Sequence, residues 1–403
     1  MSQNNLANVE LLTAITPTTD SSRQDRILYA YLNPARNEYN PLEYTRMAQF
    51  WDAEPGSLEE EESARQLALH YMVIVSAALN ESASVSEIES LSKWYTRASG
   101  ELYGTPNAEI AKRLYDDQQC GVETEVPFEH AARELGRFID TKYNTVFAAL
   151  EVDLLEDRIE PDEVAYRFEA ALAVLESEHD AAWSEWSVER NQTDKLSVNR
   201  LKKLFGVGMK RAAISPQQLR ALFSHEVLDH GLRAINGLSL SEELSKGLPG
   251  YIEAEEGLGI FIEFAISGTI KDVVYDRYVD IAFALGLIDG VEHTRAELIE
   301  KAMSRAKRRN KSTEKTTRSE EDLIKEVYAH VNRIYRGSRG DENIGVFTKD
   351  MAYYEGFLKI GNYIEHEMVS GKTMEDIWEF LMIGKFDPTN RRHLVYIQQE
   401  RVK

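Results

Sequence analysis

His225-Glu226-Val227-Leu228-Asp229-His230 sets two imidazoles on either side of a glutamate in a stretch with helical apolar periodicity. Neutral imidazole is a preferred zinc ligand, and a catalytic zinc takes three protein ligands while keeping a fourth position open for water. The string therefore offers two ligands and, in Glu226, a general base, which is the equipment of a metallohydrolase. A solvated, charged helix end is the alternative for such a string. The flanks oppose it: Leu222, Phe223, Val227 and Leu228 would bury the stretch, and buried His and Glu need partners.

The spacing needs a physical account. Histidines four apart on an α-helix stand about 40° apart on one face, whereas five steps separate them by roughly 140° and turn one away from a shared ion. Two devices would correct this: a π-turn that absorbs one extra residue, or a loosening of the helix at Gly231. The helix is expected to start at Ser215-Pro216-Gln217-Gln218, where an N-cap serine precedes a proline at the first position and a capping-box glutamine. Before it, the glycine-broken stretch from Leu204 to Ile214 predicts an extended edge strand, a place where substrate backbone pairs in other folds.

A third ligand must come from another element. Glu253-Ala254-Glu255-Glu256 opens an apolar run through Glu263, and Gly257 and Gly259 remove bulk so that this backbone can approach the histidine helix. Glu256 is the candidate. Acids in a first turn also suit the helix dipole with no metal involved.

The order of short motifs around this core is specific. His225-Glu226 to His230 is followed by Asn236-Gly237, then Gly247-Leu248-Pro249-Gly250-Tyr251, then Glu255-Glu256-Gly257-Leu258-Gly259. Tyr335-Arg336-Gly337, Phe347-Thr348-Lys349-Asp350 and Tyr353-Tyr354-Glu355-Gly356-Phe357 come later, and Leu102-Tyr103-Gly104-Thr105-Pro106 lies upstream. As a series over about residues 95 to 370, this resembles the HExxxH metallopeptidases that include the microtubule-associated tyrosine carboxypeptidases. Bacterial members are known by a "QEGLA" motif. The chain departs from that pattern at Glu255, where glutamine is usual, and at Gly259, where alanine is usual.

The resemblance implies His225 and His230 as zinc ligands, Glu226 as the catalytic glutamate and Glu256 as the third ligand. Glu255 adds a second carboxylate beside that ligand. The dipeptidyl peptidase III family has a similarly expanded motif and uses the second glutamate of a Glu-Glu pair, which favours Glu256. One zinc per chain would then serve a carboxypeptidase acting on the C-terminus of a peptide or protein, with a bulky, tyrosine-like leaving residue implied by the resemblance. A Tyr hydroxyl, at Tyr353 or Tyr354, suits an oxyanion donor. Arg336, Lys349, Lys210 and Arg211 are the candidate cations for the substrate's terminal carboxylate, arginine being favoured for its bidentate fork. The rival reading is a non-catalytic helical interaction module whose His/Glu cluster is a structural metal site or hydrogen-bond network.

Composition sets the outer limits. The chain has 403 residues, 43% hydrophobic and 29% charged, with a net charge of −21 and a single cysteine, Cys120. One cysteine excludes an intramolecular disulfide framework and a Cys-rich zinc module, and suits a reducing, cytoplasmic setting. No run approaches the roughly 18 apolar residues of a membrane span, and Met1 to Arg26 lacks a signal-peptide pattern. Strong acidity without basic-aromatic interleaving argues against nucleic acid. It would also repel acidic tubulin tails, on which the animal relatives act, unless a basic patch compensated. Arg305 to Arg318 is the one dense basic run, and it reads as a solvated loop with helix-end charges.

The fold class expected is mainly α with a small β-sheet (α+β): a zincin-like metallopeptidase region over 200–403 preceded by a helical N-terminal region over 26–190. The first 25 residues look disordered, and polar 191–200 is expected to link the two regions, which pack as one unit. Capped helices are predicted from Ser57 and near Ser84, and further helices over residues 128 to 190, 273 to 287, 323 to 334 and 351 to 364.

Overall fold

The computed structural model describes residues 103–121, 124, 126–151, 158–312, 319–335 and 345–402, together with Lys93, Thr96, Ser99 and Gly100. The helices predicted to start at Ser57 and Ser84, and Arg336, lie outside these residues. Packing divides the chain into two compact units, each built from two stretches: Met1–Thr124 with Asp272–Met351, and Glu125–Lys271 with Ala352–Lys403. The first unit contributes α1 (Ala108–Cys120). The second then supplies α2 (Glu129–Lys142), α3 (Asn144–Leu150), α4 (Pro161–Glu178) and the strands β1 (Ser187–Asn191), β2 (Leu196–Asn199) and β3 (Leu204–Gly208). It continues with α5 (Pro216–Phe223), a π-turn over Ser224–Gly231, α6 (Leu232–Leu240), α7 (Glu242–Lys246) and α8 (Ile252–Ser267). The first unit resumes with α9 (Asp272–Ala284), α10 (Arg295–Ser312), α11 (Glu320–Ile334) and a 3-10 turn over Lys349–Met351. The second closes with α12 (Ala352–Val369), α13 (Met374–Leu381) and α14 (Arg391–Val402). The fold is thus mainly helical with one small sheet.

In the first unit, α1 starts on the Asn107 side chain, which accepts from the Glu109 and Ile110 amides, and stops where Gly121 takes φ +65°. Three helices are then keyed together by one carboxylate. Asp280 on α9 is fully buried, accepts both terminal nitrogens of Arg305 from α10, and receives His330 Nε2 from α11 at 2.7 Å. Arg309 adds a bidentate pair to Asp276 at 2.5 and 2.9 Å. The basic run therefore differs from the solvated loop expected of it: Arg305 to Arg309 are helical, and both of these arginines are spent inside the unit. Likewise Asp350 is braced by Arg333 at 2.5 and 2.8 Å, and Tyr103 packs edge-on to Phe347 with ring centroids 5.3 Å apart.

The second unit is organised around α8, whose residues Ala254 to Phe264 are buried apart from Glu256. A helix apolar on every side belongs in a core. It packs against α2, α5, the π-turn and, most extensively, α12. Bare backbone permits the α12 crossing, because a Cβ on Gly257 would overlap the Gly356 carbonyl group and one on Gly356 would overlap the Glu253 carbonyl. The sheet has the order β1-β3-β2, with β1 parallel and β2 antiparallel to β3. This corrects the expectation of an edge strand: β3 is central and its hydrogen bonds are taken on both sides. Residues 191–200, expected as a linker, instead end β1 and form β2. Among the described residues no helix is long and apolar enough to cross a membrane.

The Asp280 cluster makes acid stability testable. Burial opposes its charge, but Arg305 and His330 outweigh that cost and hold Asp280 at about 2. A folded-state value below the unfolded one contributes stability that is present above about pH 4 and lost as pH falls toward 2, worth roughly 2 kcal/mol. Denaturant unfolding of wild type and Asp280→Asn should give a stability gap that narrows over that window. A gap that stays constant from pH 5 to pH 2 would contradict the assignment.

Candidate metal centre

Local sequence builds the histidine turn. Ser215 Oγ accepts from the Gln218 amide at 3.2 Å and Gln218 Oε1 accepts from the Ser215 amide at 3.0 Å, so the capping box anticipated from sequence is formed. The helix then runs without a break from α5 through the π-turn into α6. In a π-turn residues i and i+5 are the hydrogen-bonded period, so His225 and His230 stack on one side. Of the two devices open to the sequence, the chain uses the π-turn, and the helix passes straight through Gly231. That glycine lies against Phe205 of β3, since a Cβ there would lie 2.7 Å from the ring.

The ring geometry is the key observation. His225 Nδ1 meets Glu263 Oε1 at 2.7 Å, His230 Nδ1 meets Glu255 Oε1 at 2.9 Å, and the two Nε2 atoms face each other at 3.2 Å. An ionised carboxylate only accepts, so each Nδ1 carries its hydrogen and each neutral ring turns an Nε2 lone pair toward the other. Two facing lone pairs at that distance are reconciled by positive charge between them, either a proton on one ring or a metal ion shared by both. Two nitrogens bound to one tetrahedral zinc stand roughly 3.4 Å apart, which matches. The half-buried Glu256 completes the group: ligand atoms of His225, His230 and Glu256 all lie within 4.8 Å of one another. Two histidines held by carboxylates through their far nitrogens and a nearby carboxylate form a donor set that fits zinc.

Electrostatics point the same way. Burial alone would lower His225, yet the Glu263 hydrogen bond and the charges of Glu263, Glu226 and Glu256 raise it to about 9. His230 is also raised, burial being outweighed by Glu255 and Asp229. The pair thus attracts positive charge in whatever form is available. Glu263, opposed by burial but bonded to His225 and Lys271, sits at about 2. Glu255 is likewise held well below the carboxylate range, because Lys385 and Arg233 overcome its burial.

A second group, Asp229, His230 and Glu255, is also close enough to surround an ion. Its chemistry is unsuitable. Glu255 Oε1 already accepts from His230 and Lys385, and Oε2 from Arg233, so two fixed cations occupy the place an ion would need. Asp229 is fully buried and pushed up to about 6 by burial and by Glu255, with neither oxygen hydrogen-bonded among the described residues.

The other expected site residues are placed as follows. Glu226, the residue after His225, is half-buried, and its charge acts on His225. Arg211, three residues beyond β3, is half-buried where the charges of Glu226 and Asp194 act on it, and its Nε and Nη1 are buried without a hydrogen-bond partner among the described residues. Lys210 is exposed beside it. Tyr354 is in the core, stacked on Phe357, whereas Tyr353 is half-buried on the first turn of α12. Lys349 belongs to the first unit, in the 3-10 turn. Sequence reasoning missed Glu263, Arg233, Lys271 and Lys385. Only Glu263 left a signal: seven residues after Glu256, it falls on the same face of α8.

This geometry defines a helical protein with a carboxylate-oriented histidine pair able to hold a divalent metal. A family model described as microtubule-associated tyrosine carboxypeptidase matches residues 92–282 and 314–402, more than half of the chain, and the chain belongs to that family. At family level it is a carboxypeptidase, a hydrolase of C-terminal residues. No curated protein and no solved structure matches it.

Gly259 gives the centre a direct test. A Cβ there would lie 2.6 Å from His225 Cε1 and Nε2, while Glu263 pins the far side of the ring. Alanine is the residue usual at this position, so the decisive change is a larger one: Gly259→Leu should push the imidazole off its seat and weaken zinc binding by about tenfold or more, read by competition with a chromogenic chelator. Unchanged affinity would mean that His225 does not bind the ion through Nε2.

Proposed function

We propose that the chain is a zinc-dependent carboxypeptidase that removes a bulky, tyrosine-like C-terminal residue from a peptide or protein. The observation that carries this reading is the facing pair of Nε2 atoms, each ring oriented by its own carboxylate, with Glu256 alongside. Family membership supports the reaction class and the C-terminal tyrosine. Zinc, one per chain, would be held by His225, His230 and Glu256. When bound, it supplies Lewis acidity that polarises a carbonyl and makes water far more acidic.

The chain's own residues do the rest. Glu226, adjacent to His225 in the chain, takes a proton from the attacking water and returns it to the leaving amine, so that the peptide C–N bond breaks and the proton balance closes. Tyr353 would donate to the developing oxyanion; the approach of Gly356, three residues on in α12, to Gly257, the neighbour of Glu256, supports the choice. Arg211 is the choice for the substrate's terminal carboxylate: its buried Nε and Nη1 have no hydrogen-bond acceptor among the described residues, and a bidentate carboxylate would satisfy them. It lies in the same unit as the histidines. A single cysteine in 403 residues supports a reducing, cytoplasmic setting.

Peptides varied at the C-terminus, with free or amidated ends, should be incubated with and without chelator and read by mass spectrometry. Loss of one residue from free-acid peptides ending in tyrosine is expected, abolished by chelator. Glu226→Gln should lower turnover by about 10²- to 10⁴-fold with zinc retained. Arg211→Gln should raise KM and erase the preference for free over amidated ends. Cleavage indifferent to amidation in the wild type would contradict exopeptidase action, and no cleavage of any peptide by zinc-loaded protein would leave only a structural metal site.

A further inference from the structure

We propose that Lys385, 130 residues beyond Glu255, is a positioning residue of the metal centre, fixing the Glu255 carboxylate so that it holds His230 by Nδ1 and leaves Nε2 turned to the ion. The inference rests on the metal-centre reading and is independent of which peptide is cleaved. Lys385 is a buried cation, and burying an ammonium group is costly unless it is paired. The backbone that carries it is clamped. Its amide donates to the Leu244 carbonyl at 2.7 Å and its carbonyl accepts from the Leu248 amide at 2.9 Å. On either side, Gly384 and Phe386 give their carbonyls to Arg233 Nε and Nη2, both at 2.7 Å. An ammonium group projecting from so fixed a segment has a defined position, and it reaches Glu255 Oε1, the oxygen that also accepts from His230.

Arg233 takes the other oxygen, Oε2. Two cations gripping the two oxygens separately fix the plane of the carboxylate. With Lys385 removed, the carboxylate can pivot on Arg233 alone, and His230 Nδ1 has a competing acceptor in Asp229, 3.7 Å away and without a hydrogen bond among the described residues. A ring that turns toward Asp229 carries Nε2 away from His225 and Glu256. Lys385 thereby decides between two carboxylates for one imidazole.

The test compares Lys385→Met, Lys385→Gln and Lys385→Arg with wild type in full-length protein. Zinc affinity is read by chelator competition, and ligand geometry by the visible absorption bands of the cobalt(II) form. Met and Gln should weaken zinc binding by about 10- to 100-fold and shift the cobalt bands, and Arg, which keeps a charged donor, should recover most of both. A residue that merely braces the fold would lower the unfolding temperature and leave affinity and spectrum unchanged, which would overturn the proposal. If Lys385→Met does not fold, Gln against Arg decides: equal affinities overturn it, and recovery in Arg alone supports it. Because the readout is metal affinity, failure to release any C-terminal residue would sink the peptidase reading and leave this one standing.

Discussion

Two imidazole nitrogens pointed at each other across 3.2 Å are the constraint on which the rest of the second unit depends. Such a contact is repulsive while both nitrogens are bare and favourable once a proton or a metal ion lies between them, and Glu263 and Glu255 fix it by holding the opposite nitrogens. Both of these carboxylates, and the half-buried Glu256 beside the facing nitrogens, come from α8. That helix must therefore lie close against the π-turn, and Gly259 provides the clearance. The same helix must be anchored on its other faces, where Gly257 meets Gly356 and a Cβ on Gly136 would run into the Ala265 carbonyl. Glycines that look like weaknesses in a helix are the points at which its backbone can come near enough.

The charges around the site form a graded system. Each orienting carboxylate is neutralised from behind, Glu263 by Lys271 and Glu255 by Arg233 and Lys385. Glu256 and Glu226, both half-buried, make no such pair among the described residues. Pairing the acids that orient the rings while leaving these two without a paired cation is the pattern that the proposed roles of ligand and base call for. It also explains why only one of the two His/Glu groups suits a metal.

How much of this was legible in the sequence depends on how local each feature is. The five-residue histidine spacing demands a π-turn or a break by angular arithmetic alone, and the Ser215–Gln218 box is contained within four residues. Helices at residues 272–284, 320–334 and 352–369 follow from apolar periodicity to within a few residues. Strand order is a different matter. Nothing in Leu204–Gly208 reveals that it receives partners on both sides, because β1 and β2 reach it from separate segments. Arg305 and Arg309 read as solvated charge for the same reason: Asp280 and Asp276, their partners, sit on another helix. Lys385 had no signal at all, since its role is set by a backbone clamp assembled from residues 244 and 248. Glu263, by contrast, could have been found by extending the face of Glu256 two turns along α8.

The central claim is that His225 and His230 share one ion through Nε2 with Glu256 as the third protein ligand. Anomalous diffraction at the zinc edge, from crystals of protein purified without chelator, tests it most directly. The account predicts a single peak about 2.0–2.1 Å from both Nε2 atoms and within about 2.2 Å of a Glu256 oxygen. A peak among Asp229, Glu255 and the Nδ1 side of His230, or none at all, would contradict it.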